Sequence, residues 1–326
     1  MPLAMGAASR RLAGGGMLRI VAGRCVQAVI VALVVGVVGF AMMEALPGDA
    51  AFRIAAGRYG YDAVSAAAAD LVRAELGLDR PAPARLAEWL GHTLVLDLGR
   101  SVVTGERVAA AIASQLANTV SLAVAAMLVA LAISLPVGCL AGLAPGGVLD
   151  RVSAVLSIGL RATPAFLLGV VLMLLLAVEL RALPAAGHGR ASHLILPSLT
   201  LGLFLTAVLT RVVRNAVAET VASESFQFAR LKGLPLPVAF WRHGLRNASV
   251  PVVAYLGVQA ALILEGVVVV ESLFAWPGIG HALTHAIFQR DVPMLQGTAL
   301  TLGLAFVVLS FLVDLACRAL DPRMRA

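Results

Sequence analysis

Charge is what this chain has least of. Asp, Glu, Lys and Arg make up 13% of its 326 residues, against about a quarter in an ordinary soluble domain. So few charges cannot furnish the polar shell of a compact core this large, which argues against a soluble globular enzyme. Lysine is nearly missing: Lys232 is the only one, and the other 24 of the 25 basic residues are arginine. A phosphate-binding P-loop needs Gly-Lys-Ser/Thr after a glycine-rich turn. Lys232 lies between Leu231 and Gly233, so the chain holds no ATP site of that kind. Cys25, Cys139 and Cys317 sit singly in apolar runs, giving neither a disulfide framework nor a Cys-x-x-Cys pair. No G-x-S-x-G turn, no H-E-x-x-H helix and no internal repeat, parallel or inverted, is present. The arginines give a net charge of +7, but they fall between apolar runs and form no basic stripe, so nucleic acid is not an expected partner.

What the chain has in plenty is apolar length. Hydrophobic residues are 60% of it, with a mean hydropathy of +0.94. A bilayer core takes about 20 apolar residues per helix. Six stretches fit: 25–43, 119–143, 152–178 interrupted by Arg161, 194–213, 248–270 interrupted by Glu265, and 292–313. The expected fold class is all-α, a polytopic membrane protein with six transmembrane helices. Arg10, Arg11, Arg19 and Arg24 precede the first stretch, Arg151 the third, and Arg318, Arg323 and Arg325 follow the last. Six more, Arg211, Arg214, Arg230, Lys232, Arg242 and Arg246, lie at the end of the fourth or between it and the fifth. All fall on one side when both termini are cytoplasmic. Ser9-Arg10-Arg11 faintly resembles a twin-arginine signal, but 19 uncharged residues is long for a cleaved signal core and no small-x-small site follows. The first stretch is therefore read as retained.

This divides the chain into a cytoplasmic segment 1–24, of which 1–16 reads as a disordered extension with Met17 the more natural start, and a first helix 25–43. An external segment 44–107 with small helices follows, then a five-helix core 108–318 and a cytoplasmic tail 319–326. Within the core, 214–247 is the largest cytoplasmic insertion. Its strong helix formers predict a helix over 219–232. Gly233 fits the left-handed position past a helix end, and Pro235 and Pro237 bar continuation. A second short helix is predicted toward Asn247 and Pro251. Such a helix beneath a bundle can seat in a partner's groove; the plainer reading is a solvated connector near lipid headgroups.

Ala229-Arg-Leu-Lys-Gly233, nine residues, then His243-Gly-Leu-Arg-Asn247 resembles the EAA-loop of ABC importer permeases, specifically the B-type subunit of the oligopeptide/dipeptide/nickel family. The likeness runs from Met17 onward. It includes Pro47-Gly48-Asp49, Leu76-Gly-Leu-Asp-Arg-Pro81, Asp97-Leu-Gly-Arg-Ser101, Leu183-Pro184-Ala185, His193-Leu-Ile-Leu-Pro197, Glu271-Ser-Leu-Phe274-Ala-Trp276-Pro277-Gly278-Ile-Gly280, Asp314 and Leu320-Asp321-Pro322-Arg323. The resemblance implies a type I importer permease of a bacterial inner membrane, without a cofactor. It implies three kinds of partner: a second homologous permease as a heterodimer, two cytoplasmic ABC ATPase subunits, and an external solute-binding protein. It implies that Phe226, Gln227, Ala229, Arg230, Lys232, Gly233, Leu234, His243, Arg246 and Asn247 couple to the ATPase, and that Glu271, Trp276, Pro277 and Gly278 form an external turn. Gln227-Phe228 stand where many permeases have Glu-Ala, which weakens any need for a charge at 227.

Arg161 and Glu265 depart from the family, which more often has small or neutral residues there. A charge inside a span faces protein or water. Both are pathway candidates, alone or as a pair, and a structural ion pair far from cargo is the rival. His281 and His285, four apart on one helical face, have the spacing of two metal ligands. With no third ligand evident, no metal site is expected. Trp276 and Trp241 fit the outer and inner interface belts, and Gly257, Gly266, Gly278 and Gly280 fit close packing or turns. The expected function is the pore-forming permease of an ATP-driven importer of peptides or nickel-type solutes. The alternative is a stand-alone secondary transporter, for which only Glu265 speaks.

Overall fold

A computed structural model describes residues 3–45, 48–60, 64–75, 77–94, 97–289 and 291–320. Among them the regular elements are helices, and extended pairing is confined to one isolated bridge, Arg100 with Arg107. In chain order they are α1 (Leu3–Ala45), α2 (Ala50–Tyr59), α3 (Ala66–Glu75), α4 (Ala82–Leu94), α5 (Val108–Leu143), α6 (Val148–Ala162) and α7 (Ala165–Met173). Then come α8 (Ala191–Ala222), α9 (Glu224–Leu231), α10 (Leu236–Ala239), α11 (Leu245–Leu273), α12 (Ile279–Gln289) and α13 (Val292–Leu320). Four of these are long and apolar enough to cross a bilayer, and α6 with α7 makes a fifth if the pair is one span. α11 has 29 residues; the surroundings of Glu265 and Gly266 on it, and of His243 and His92, lie outside what the structure describes.

The third apolar stretch is not the single rod its length suggested. α6 and α7 meet at 99°. The cause is local: Pro164 has no N–H to continue the ladder, and its ring drives the preceding Thr163 into extended backbone, φ −90° and ψ 123°. Arg161 therefore sits in the last turn of α6, beside the break. It is exposed on this chain, with its guanidinium carbon 5.5 Å over the Phe204 ring.

The helices group into two units, one built chiefly on Val120–Trp276 and the other on Gly14–Thr119 with Pro277–Val308. In the first, Leu122, Ala126 and Ala130 of α5, Leu205, Leu209 and Val213 of α8, and Val252, Ile263 and Val267 of α11 form one core. Lipid is as apolar as leucine, so close packing rather than burial from water holds such helices together. α5 offers α8 the stripe Ser134, Gly138, Gly142. The Thr210 hydroxyl meets that of Ser134 at 3.1 Å. A Cβ on Gly138 would stand 2.9 Å from the Thr210 carbonyl oxygen, and one on Gly142 2.6 Å from that of Arg214. The two backbones touch. Trp276 belongs to this core, 5% exposed and edge-on to His188 at 4.8 Å. It is not the interface-belt residue expected, because the turn at Ala275, φ 49°, folds it inward.

In the second unit, α2 packs on α3 around Ile54, Ala55, Val72 and Val102. Gly48, φ 93°, takes a left-handed turn, and the Asp49 carboxylate caps α2 by accepting from the Ala51 N–H at 2.9 Å. Arg73 pairs with Asp49 and Asp70, and Arg58 with Glu75 at 2.8 Å. The hydrogen bond from Arg58 holds the Glu75 carboxyl below its ordinary range. A separate cluster joins Val108 and Ile112 of α5 to Ile279, Ala282 and Ala286 of α12 and Met294 of α13.

Candidate functional site

The insertion after α8 is a compact, ordered hook. The helix predicted over 219–232 is cut in two, because Ser223 adopts extended backbone, φ −66° and ψ 145°. Its hydroxyl donates to the Thr220 carbonyl at 2.6 Å, closing α8. Its own carbonyl accepts from the N–H groups of Phe226 and Gln227, opening α9. Flanking residues that favour helix hid this break from the sequence. The other end matches expectation. Gly233 has φ 84°, its N–H donates to the Arg230 carbonyl at 2.9 Å, and that of Leu234 to the Ala229 carbonyl at 3.4 Å. This is a Schellman closure, which only a residue tolerant of left-handed backbone completes without strain.

The predicted coupling residues divide by face. Phe226 and Ala229 point inward, 1% and 6% exposed. Gln227, Phe228, Arg230, Leu231 and Lys232 point outward. Gln227 is tied back to α8: its amide nitrogen donates to the Val221 carbonyl at 2.8 Å. An amide can donate this bond where a carboxylate cannot. Arg230 reaches the Leu234 carbonyl at 2.7 Å, and Lys232 lies 4.5 Å over the Phe228 ring. Pro235 precedes α10 and Pro237 lies in its first turn; one π-helical turn, Phe240–Gly244, follows, and α11 starts at Leu245. The predicted second helix thus continues straight into α11. Arg246 and Asn247 occupy its first turn, and Pro251 lies inside it. A Cβ on Gly244 would meet the Phe240 ring at 2.7 Å and Thr220 at 3.3 Å, so the returning chain is packed against the end of α8. The most exposed of its large apolar side chains are Phe228, Leu231 at 85% exposure and Trp241 at 76%. Exposed apolar side chains grouped in this way are what an interaction site requires.

At the other predicted sites, Glu271 is fully buried and its carbonyl accepts from the Trp276 N–H at 2.8 Å. In the second unit, the Pro277 carbonyl accepts from the Asn118 amide at 3.0 Å, and Gly278 directly precedes α12. His281 and His285 meet edge to face, centroids 4.5 Å apart. Burial, reinforced by the His285 charge, pushes His281 below the ordinary histidine value. Among the described residues no third His, Cys, Asp or Glu joins them. They line a cavity of about 250 Å³ with Ser101, Glu106, Gln115 and Asp291. The last of these was missed in the sequence, although an acid followed two places later by proline at the start of an apolar run is a helix-start signal.

The sequence of the chain is matched by known proteins. Residues 134–326 match the family described as "Binding-protein-dependent transport system inner membrane component", and residues 17–123 match the N-terminal region of such membrane components. The chain belongs to this family. The glutathione transport system permease protein GsiC of Pectobacterium atrosepticum is 37% identical over 293 residues, covering 90% of this chain and 94% of that one. A protein of Brucella abortus (strain 2308), provisionally named a peptide transport system permease protein, is 36% identical over 321 residues, 95% and 99% of the two chains. GsiC of Salmonella choleraesuis is 35% identical over 309 residues, 95% and 99%. The chain is thus an inner-membrane, multi-pass permease subunit of an ABC importer, working with a solute-binding protein and an ATPase. The stand-alone transporter finds no support in these matches.

Proposed function

We propose that this permease carries small peptides as one half of a heterodimer with a homologous sister, six spans each, both termini cytoplasmic. Two ATPases sit beneath and supply all ATP hydrolysis. The observation behind the coupling part is the hook: Phe226 and Ala229 buried, Phe228 and Leu231 bare on the opposite face of an eight-residue helix. Peptide cargo follows from the relatives described above, whose names speak of glutathione or peptide transport; nickel has no such support among them. Arg161 and Glu265 are the charges we propose for the pathway, where a zwitterionic peptide would meet them; nearly additive transport losses in the single and double alanine variants would reject their pairing. In this reading ATP-driven closure of the ATPases pulls the hook, and the hook moves the helices.

Leu231→Asp tests the docking surface without touching the buried anchors. Losing a central apolar contact at an interface costs about 2 kcal/mol, or roughly 30-fold in ATPase affinity. The variant is expected to insert and purify normally with its sister subunit but to lose the ATPases on size exclusion. Full ATPase retention with normal uptake would reject the hook as the docking element.

A further inference from the structure

Asp150 belongs to none of the motifs named above. It lies at the start of α6, only 7% exposed, just past a tight turn at Ala144–Gly147 in which Gly146 has φ 77°. Its carboxylate accepts four hydrogen bonds. The Gly146 N–H gives one at 2.9 Å. Arg214 gives two in a fork, Nε to one oxygen at 3.0 Å and Nη2 to the other at 2.6 Å. Arg211 gives the fourth at 2.8 Å. Both arginines come from α8, one turn apart, more than sixty residues away in sequence. A forked arginine–carboxylate pair fixes direction as well as distance. The same stretch of α8 is held from α5 by the backbone contacts of Gly138 and Gly142 described above.

Arg214 is eight residues before the end of α8 at Ala222, or about 12 Å along the axis at 1.5 Å per residue. From there Ser223 leads directly into α9. The clamp therefore ties the base of the docking helix to the first turn of α6. α6 in turn reaches the sharp bend at Thr163–Pro164 and α7, which packs on α8 and α11: a Cβ on Gly169 would stand 2.8 Å from Leu273 and 3.2 Å from Thr200. A push on α9 that moved α8 alone would have to break three charge-assisted bonds to one buried carboxylate. Such bonds are strong, and a buried charge stripped of its partners is costly. α6 must follow α8.

We infer that Asp150, gripped by Arg211 and Arg214, is a positioning residue that makes α6 move with the ATPase-docking end of α8 and so links ATP hydrolysis to opening of the pathway. This rests on the docking role proposed for the hook. Removing the grip should leave the hook's face intact, so the ATPases still bind and still turn over. What fails is transmission.

The test uses the whole importer, with sister permease, ATPases and binding protein, in proteoliposomes. The readouts are ATPase co-purification, ATP hydrolysis stimulated by the binding protein, and tripeptide uptake per ATP hydrolysed. Asp150→Asn removes the charge with little change of shape. It is expected to keep the ATPases bound and hydrolysis within about twofold, while uptake per ATP falls about tenfold, within the range typical of coupling between two sites. Arg214→Lys keeps the charge, loses the fork, and is expected to show a smaller fall in the same ratio. If Asp150→Asn does not assemble, Arg214→Lys and Arg211→Lys carry the test alone. An unchanged ratio in every variant that assembles, or uptake and hydrolysis falling in proportion, overturns the inference. Failure of the docking role is seen separately, as ATPases retained by Leu231→Asp.

Discussion

Gly142→Leu is expected to yield little folded permease. The Cβ alone would stand 2.6 Å from the Arg214 carbonyl oxygen and 2.7 Å from the Val217 Cβ. Neither is the loose end of a flexible side chain. Relief requires the α5 and α8 backbones to separate, which also strips the Ser134–Thr210 hydroxyl contact one turn beyond Gly138. Overpacking of a core costs 1–3 kcal/mol where side chains can shift. Here a backbone seam must open, and we expect about 4 kcal/mol, at the upper end for single substitutions. The check is the yield of monodisperse protein and its Tm in detergent, with Gly23→Leu as control, since no atom lies within 4 Å of a Cβ there. A Gly142→Leu protein as abundant and as heat-stable as the control would contradict the seam. Gly142→Ala, with the Cβ alone, should give an intermediate loss. Because the seam lies beside the Asp150 clamp, any Gly142→Ala protein that folds should also lose uptake per ATP before it loses ATPase binding.

How far the sequence could be read follows from how local each cause is. The hook's closing turn was legible because Gly233, Pro235 and Pro237 act within a few residues of themselves. Its opening turn was not: Ser223 stands among good helix formers, and only its own backbone angles betray the break. The bend after α6 had a local cause, Thr163-Pro164, but the apolar run on both sides outweighed it in a reading by hydropathy. Glu271 and Trp276 were singled out as a turn, yet nothing near them shows that both end up buried. Asp150 and Asp291 were missed for a common reason. Each is a lone acid at the start of a helix, where a solvent-exposed cap is the ordinary expectation. What makes them different comes from 61 to 64 residues away for Asp150 and about three times as far for Asp291. The glycine stripe on α5 carries the same lesson. Gly138 and Gly142 read as generic small residues until the opposing carbonyls of α8 appear.

Asp291→Ala should be the most damaging single change in the second unit. The residue is 3% exposed. Its carboxylate accepts from the Ser101 hydroxyl, from the Val102 N–H at 3.3 Å, and from the Met294 N–H at 3.3 Å, where it caps α13. The Ser101 hydroxyl in turn accepts from the N–H groups of Val103 and Thr104, at 3.2 and 2.9 Å. One carboxylate thus organises the loop before α5 and the start of α13. Alanine would leave buried donors on both sides without an acceptor, at 1–3 kcal/mol each, and would remove a helix cap worth about 1 kcal/mol. A total of about 4 kcal/mol is expected. Ser101→Ala, which leaves the carboxylate two of its three donors, should cost about 1–2 kcal/mol. The measurement is proteolysis of residues 97–107 in the assembled importer, together with hydrolysis stimulated by the binding protein. Asp291→Ala should be cut far faster there and should lose stimulation, while its ATPases remain bound, because the hook is untouched. That combination separates it from Leu231→Asp, which loses the ATPases themselves. An Asp291→Ala protein with wild-type protection of 97–107 would mean that the loop is held by something other than this carboxylate.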